Sequence, residues 1–354
     1  MRRMENIELI KGYMNCDKVP CSAEDSAPYG PAFAPTPIEF FGTVGGAELY
    51  VKRDDLIPAA FGGNKVRIAA EIFAEMSCRG CDAVITYGSV TSNLNRAVAL
   101  MAKDAGVKCY AIVKKDTCAA AEKLPLNYRL VLASGAEVAE TDSAHVRETV
   151  VRVMAESRDR GEKPFYVYGD ATGHGNEEVL SRAYQKVYGE ILTQEQALFD
   201  GEYHFTEIFT AVGTGSTISG LIAAAGGEGA LPGMTGAGAA AGPDGGERHI
   251  TGISVARSRE AVLAAIGPED ERFTITDAYL AGGYGQTAAA GATPSSLEDF
   301  CITTSLAHAM PLDPVYTGKA LFGTMEEIKK RGINGKVLFL HTGGTPLYYD
   351  MLEK

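Results

Sequence analysis

From about Asp82 onward, short apolar runs alternate with longer stretches whose apolar positions recur at helical spacing. Ala83 to Tyr87 predicts a buried strand, and Asn93 to Ala105 a helix. Lys108 to Val113 predicts the next strand, Leu126 to Ser134 and His145 to Ser157 two helices, and Pro164 to Tyr168 a further strand. The alternation continues with a helix over Glu177 to Leu192, a strand over Thr206 to Val212 and a helix over Thr217 to Ala225. Strands over Ile250 to Val255 and Lys336 to Leu340 complete it. This pattern predicts an α/β fold with parallel-rich sheets flanked by helices. In such sheets ligands sit at the carboxyl ends of strands, so the loops after strands are the candidate sites. Gly226 to Glu247 breaks the pattern: it is rich in Gly and Ala and lacks apolar periodicity, which predicts a flexible surface loop, a tolerated insertion rather than a lid.

Composition narrows the picture. A chain of 354 residues exceeds one ordinary compact core and predicts two domains. The formal charge of -12 argues against a nucleic-acid partner and against anionic membrane surfaces. No stretch approaches the ~20 apolar residues of a membrane span. Glu8 and Lys11 interrupt the start of the chain, so a signal peptide is not expected and the cytoplasm is. Seven scattered cysteines, an odd number, predict reduced thiols. Cys78-Arg79-Gly80-Cys81 has no second pair and no nearby histidines, so it reads as a helix end rather than a metal or redox site.

Four strand-end loops carry candidate chemistry. In Phe61-Gly62-Gly63-Asn64-Lys65, two glycines permit close backbone approach and a lysine opens a helical run over Val66 to Met76. The positive end of the helix dipole disfavours the charged form of that lysine, and a neutral amine is what Schiff-base chemistry needs. The alternative reading of Lys65 is the commonest one for a lysine, a solvated surface residue. In Tyr87-Gly88-Ser89-Val90-Thr91-Ser92-Asn93, Ser92 and Asn93 either cap the next helix or help its N–H groups hold an anion. Val212-Gly213-Thr214-Gly215-Ser216-Thr217 offers N–H groups and hydroxyls that suit a phosphate better than a plain tight turn. It lacks the lysine of a P-loop, and the spacing of Gly213, Gly215 and Gly220 misses the dinucleotide fingerprint. His341-Thr342-Gly343-Gly344-Thr345 is the fourth, with His341 read as structural. No metal-ligand spacing and no nucleophile elbow is present. Glycine-rich strand ends with one placed lysine suit a phosphate-bearing carbonyl cofactor.

At these residues the chain resembles the fold-type-II pyridoxal-phosphate enzymes, which are tryptophan synthase β-like, and within them the aminocyclopropane-carboxylate deaminase and D-cysteine desulfhydrase family. The resemblance runs from Thr36-Pro37 to His341-Thr342-Gly343-Gly344. Lys52-Arg53-Asp54-Asp55, Gly62-Gly63-Asn64-Lys65, Ser92-Asn93, Gly283-Tyr284-Gly285 and Asp313-Pro314-Val315-Tyr316-Thr317-Gly318-Lys319 carry it between those ends. It implies pyridoxal 5'-phosphate bound as a Schiff base to Lys65, which also moves the Cα proton. It implies that Asn93 bonds the cofactor's phenolic oxygen and that Gly213, Thr214, Gly215, Ser216 and Thr217, helped by Asn64, hold the phosphate. Ser92 and its helix would take the substrate carboxylate, with Tyr284 and Tyr316 facing the substrate. Thr342 would bond the pyridine nitrogen.

Thr317 and Thr342 stand where the deaminases carry Glu and Leu, which is similar to the desulfhydrase branch. Leu94 and Gln286 depart from the family's usual residues and change polarity near the expected substrate, as does the longer loop from Gly169 to Asn176. The expectation is a β-eliminating lyase on a small amino acid, releasing ammonia and a 2-oxo acid. Racemisation, β-replacement and aminocyclopropane-carboxylate deamination are the alternatives, followed by a non-catalytic binding relative. A large cofactor-binding domain over 1–67 and 168–354, a small domain over 68–167, a cofactor in the cleft between them and a homodimer complete the expectation.

Overall fold

A computed structural model of the chain describes residues 33–115, 123–201, 204–226, 248–280 and 294–353. The first residues of the chain, the glycine-rich segment after Gly226, and the motif with Tyr284 and Gln286 lie outside the described residues. The chain divides into two compact units. One contains Pro58–Phe61 and Lys65–Leu180, the other Phe33–Ile57, Gly62–Asn64 and Ser181–Lys354.

The larger unit is built on a six-stranded sheet in the order β1-β2-β10-β7-β8-β9. The strands are β1 (Ile38–Val44), β2 (Ala47–Arg53), β7 (Glu207–Val212), β8 (His249–Ser254), β9 (Phe273–Thr276) and β10 (Gly335–His341). Only the β1–β2 pair is antiparallel; every other neighbour runs parallel. β7 is buried at all six positions, and the last five residues of β10 are buried. Continuous burial of this kind marks strands covered on both faces. Leu49, Val51, Phe209, Ile253, Val337 and Phe339 meet the helix residues Leu297, Leu321 and Ile328 in the core. Those helix residues come from α8 (Pro294–His308) and α9 (Thr317–Arg331). The remaining helices here are α5 (Glu177–Leu198), whose residues up to Leu180 are grouped with the smaller unit, α6 (Ser216–Ala225), α7 (Arg259–Ile266) and α10 (Thr345–Leu352).

The smaller unit carries a fully parallel four-stranded sheet in the order β5-β4-β3-β6. Its strands are β3 (Ala83–Ser89), β4 (Lys108–Lys114), β5 (Glu137–Thr141) and β6 (Pro164–Tyr166). Its helices are α1 (Asn64–Cys78), whose first residue is grouped with the larger unit, α2 (Asn93–Ala105), α3 (Leu126–Ser134) and α4 (Val146–Asp159). Ser92 caps α2 by accepting the Asn95 N–H at 3.1 Å, and Gly106 ends the helix in the left-handed region. Cys78, Cys81, Cys109 and Cys301 are free thiols. Among the described residues, no helix is long and apolar enough to cross a membrane, and no group of His, Cys, Asp and Glu has the geometry to hold a metal ion.

Candidate functional site

Three neighbouring parallel strands, β2, β10 and β7, bring three of the candidate loops to one edge of the larger sheet. The contact between the loops is backbone against backbone. A β-carbon at Gly63 would lie 2.8 Å from the Thr342 carbonyl oxygen, and one at Gly343 would lie 2.5 Å from Gly63 Cα. The Gly63 N–H donates to Asp54 O at 2.8 Å and the Asn64 N–H to Thr342 O at 3.0 Å. The Asn64 amide donates to Thr217 Oγ at 2.9 Å, which ties the lysine loop to the loop after β7. The structure thus brings Asn64, Gly213 to Thr217 and Thr342 together.

The loop after β7 has the features of an anion cradle. Gly215 caps α6 in the left-handed region and, as a glycine, makes no side-chain cap bond to the N–H groups of the first turn. Thr214 Oγ and Ser216 Oγ lie 3.3 Å apart on the same loop. Tyr316 flanks it, since a β-carbon at Gly213 would sit 3.4 Å from the Tyr316 ring.

Tyr316 is in turn placed by Asp313, a residue that the sequence marks only as part of a motif. The buried Asp313 carboxylate accepts the N–H groups of Val315 (2.9 Å), Tyr316 (2.7 Å) and Thr317 (3.1 Å), and the Thr317 hydroxyl at 2.7 Å. Burial pushes the Asp313 carboxyl up, against the pull of these donors. Thr317 is therefore fully buried and committed to Asp313, which leaves Thr342 as the threonine of the pair at the strand-end loops. An Asp-Pro before a helix is a turn signature from which this clamp is readable.

The motif Lys52-Arg53-Asp54-Asp55 resolves into scaffolding. Lys52 is buried against Glu190 and donates to Gln194 at 2.7 Å, and Arg53 pairs with Asp55 through two bonds of 2.9 and 2.8 Å. Thr36 donates to Asp54 at 2.8 Å. His341 takes the structural role expected for it: Gly343 N–H donates to Nδ1 at 3.2 Å, so Nε2 carries the proton given to Pro311 O at 2.9 Å.

In the smaller unit, the loop after β3 presents Ser92 and Asn93 at the start of α2. Gly88 leaves room for this, because a β-carbon there would fall 2.3 Å from Ser92 Oγ. Nothing in the local sequence marks Asn127 of α3, yet it fixes Asn93: its amide donates to Asn93 Oδ1 at 3.0 Å and to Thr91 O at 2.8 Å. With Oδ1 occupied, the Asn93 amide nitrogen is oriented as a donor. Leu94 is buried on α2.

Lys65 follows Asn64 directly, in the first turn of α1. It is half-buried, and desolvation lowers its ammonium to about 8. The uncharged form of this amine is therefore more accessible near neutral pH than that of a solvated lysine. Within the smaller unit, then, stand an amine of lowered basicity and an oriented amide donor, and within the larger unit a helix start lined with hydroxyls; each by itself suits one part of a phosphate-bearing aldehyde.

The sequence matches the family described as "Pyridoxal-phosphate dependent enzyme" over residues 30–343. The chain belongs to this family, and it is an enzyme that uses pyridoxal 5'-phosphate. It is 30% identical over 328 residues, 90% of this chain and 93% of the relative, to a Pyrococcus abyssi (strain GE5 / Orsay) protein provisionally named 1-aminocyclopropane-1-carboxylate deaminase. It is 29% identical over 325 residues, 89% of this chain and 93% of the relative, to D-cysteine desulfhydrase of Salmonella choleraesuis (strain SC-B67). A solved structure of an ACC deaminase homologue superposes with a TM-score of 0.68 at 26% identity, covering 90% of this chain and 93% of that one.

Proposed function

We propose that this enzyme is a β-eliminating lyase of D-cysteine desulfhydrase type, which releases ammonia and a 2-oxo acid from a small β-substituted amino acid. The observation that carries the reading is the pair of threonines. Thr317 is engaged by Asp313, and Thr342 lies at the end of β10 beside the loops of Asn64 and Thr217. In this reading Thr342 offers the ring nitrogen a neutral hydroxyl rather than a carboxylate. When bound, the cofactor supplies the electron sink that makes the substrate's Cα–H acidic. A neutral partner gives it modest strength, sufficient when a good leaving group departs and insufficient for opening a carbon–carbon ring.

The chain's own residues have the following parts. Lys65 would hold the cofactor through Nζ, and its amine would take the substrate's Cα proton. Gly213, Thr214, Gly215, Ser216 and Thr217 hold the phosphate with Asn64 behind them. Asn93 donates to the phenolic oxygen in the orientation set by Asn127. Ser92 and the N-terminus of α2 take the substrate carboxylate, where N–H groups and the helix dipole favour an anion. Tyr316 faces the substrate from beside Gly213, and Tyr284 joins it from the segment outside the described residues. The β-substituent leaves with its bonding pair, and water completes the release of ammonia. We place the enzyme in the cytoplasm as a homodimer; its free thiols suit a reducing compartment.

The test compares kcat/KM for D-cysteine and for aminocyclopropane-carboxylate on one preparation, with 2-oxo acid release as the readout. Turnover of D-cysteine with little of the cyclopropane substrate is expected. Efficient turnover of the cyclopropane with none of D-cysteine overturns the reading. Lys65→Ala is expected to abolish borohydride-stable attachment of the cofactor.

A further inference from the structure

Four consecutive residues before Asn64-Lys65 have positive φ: Ala60 (43°), Phe61 (63°), Gly62 (70°) and Gly63 (94°). The two glycines adopt this region freely, but Ala60 and Phe61 carry β-carbons that disfavour it. Burial of its own ring does not hold Phe61 there, since that residue is 49% exposed. The carboxyl half of the run is pinned by main chain. A β-carbon at Gly62 would lie 2.5 Å from Asp55 O, Gly63 N–H donates to Asp54 O at 2.8 Å, and Asn64 N–H donates to Thr342 O at 3.0 Å. The amino half, where the strain lies, is gripped from elsewhere: Arg96 Nη1 donates to the Ala60 carbonyl.

Arg96 sits on α2 one turn after Ser92 and Asn93, and it is fully buried. Placing a guanidinium in the interior is costly unless its donors are used. We propose that Arg96 is a positioning residue for the lysine loop: its guanidinium holds Ala60 and Phe61 in their left-handed conformation, so that the chain enters α1 with Lys65 in place. One helix then serves both ends of the chemistry, offering its N-terminus to the substrate carboxylate and its first interior arginine to the loop of the cofactor lysine. This rests on the reading of Lys65 as the cofactor anchor. Loosening the run lets water reach the lysine, and burial is the cause of the lowered ammonium. The expected consequence is a slower and more alkaline capture of the cofactor, with the anchor itself intact.

The experiment strips the full-length enzyme of cofactor, adds pyridoxal 5'-phosphate and follows absorbance and the borohydride-trapped fraction across pH. The set comprises the unaltered enzyme, Arg96→Lys, Arg96→Met and the double variant Arg96→Met with Ala60→Gly. In Arg96→Met the capture midpoint is expected to move up by about one pH unit toward an ordinary lysine, with a rate about tenfold lower. Arg96→Lys, which keeps the charge but loses the planar fork, falls between. Glycine at position 60 enters the left-handed region without steric cost, so the double variant recovers half or more of the shift. An unchanged midpoint in Arg96→Met, or a shift that Ala60→Gly does not recover, overturns the proposal. If Arg96→Met does not fold, Arg96→Lys with and without Ala60→Gly is read by the same two criteria. Lys65→Ala separates the underlying reading: capture on reduction by that variant defeats the anchor, whereas its inertness leaves Arg96 alone under test.

Discussion

The hydroxyl of Thr217 has two partners to serve, the Asn64 amide that it accepts at 2.9 Å and, in the proposed function, the cofactor phosphate. Replacement by valine keeps the shape, removes the hydroxyl and leaves the Asn64 amide without its acceptor. A hydrogen bond to a charged group contributes about 1.5–3 kcal/mol, so Thr217→Val is expected to weaken cofactor retention by roughly tenfold or more. Equilibrium dialysis measures this, and an unchanged affinity counts against the phosphate role. Residues of this kind are legible in the sequence because glycines and hydroxyls cluster visibly after a strand. Asn127 and Arg96 are not, because each acts on a distant partner through a side chain whose target the local sequence does not name. Asn127 reaches back 34 positions to Asn93 and Arg96 reaches back 36 to Ala60.

Elements whose ends carry their own signals are legible to the residue. Helices α2 and α3 begin and end where the apolar pattern puts them, each closed by a left-handed glycine, Gly106 and Gly135. Strands β1, β2, β5 and β9 do not emerge from that pattern, and three of the four, β1, β5 and β9, are sheet edges. An edge strand is paired on one side only and needs no long apolar run: β5 reads Glu-Val-Ala-Glu-Thr and has no buried position, and β9 has four residues. The crowding of the loops gives a prediction at this scale. Gly63 and Gly106 both have positive φ, but only Gly63 has backbone atoms where a β-carbon would go. Gly106→Ala is expected to lose about 1–2 kcal/mol from the left-handed backbone alone. Gly63→Ala adds the clash with Thr342 O to a comparable backbone cost of about 1–3 kcal/mol. Urea unfolding midpoints of the two variants test the order, and a Gly63→Ala variant as stable as Gly106→Ala contradicts the packing described.

For the molecule as a whole, the decisive strand is the last one. β10 lies between β2 and β7 and pairs with both, in register from Gly335 opposite Ala47 and from Val337 opposite Glu207. A chain ended at Arg331 keeps the β1–β2 hairpin and the β7–β9 group but lacks the strand that joins them. Such a truncation is expected to lose cofactor capture completely, while the 65–180 unit resists limited proteolysis because its sheet draws on no later strand. Capture by the truncated chain, or equal digestion of both units, would show that β10 is not what completes the sheet. The same position of β10 sets a timetable for the growing polypeptide. At ~5–20 residues per second, the ribosome needs on the order of 15–60 s between finishing β2 and starting β10. Throughout that interval the open side of β2, with Leu49 and Val51 destined for the core, has no strand to lie against. Exposed strand edges of this kind adhere to other chains, so production of this enzyme in cells is expected to depend on holding factors that shield the nascent amino-terminal hairpin until its carboxy-terminal partner emerges.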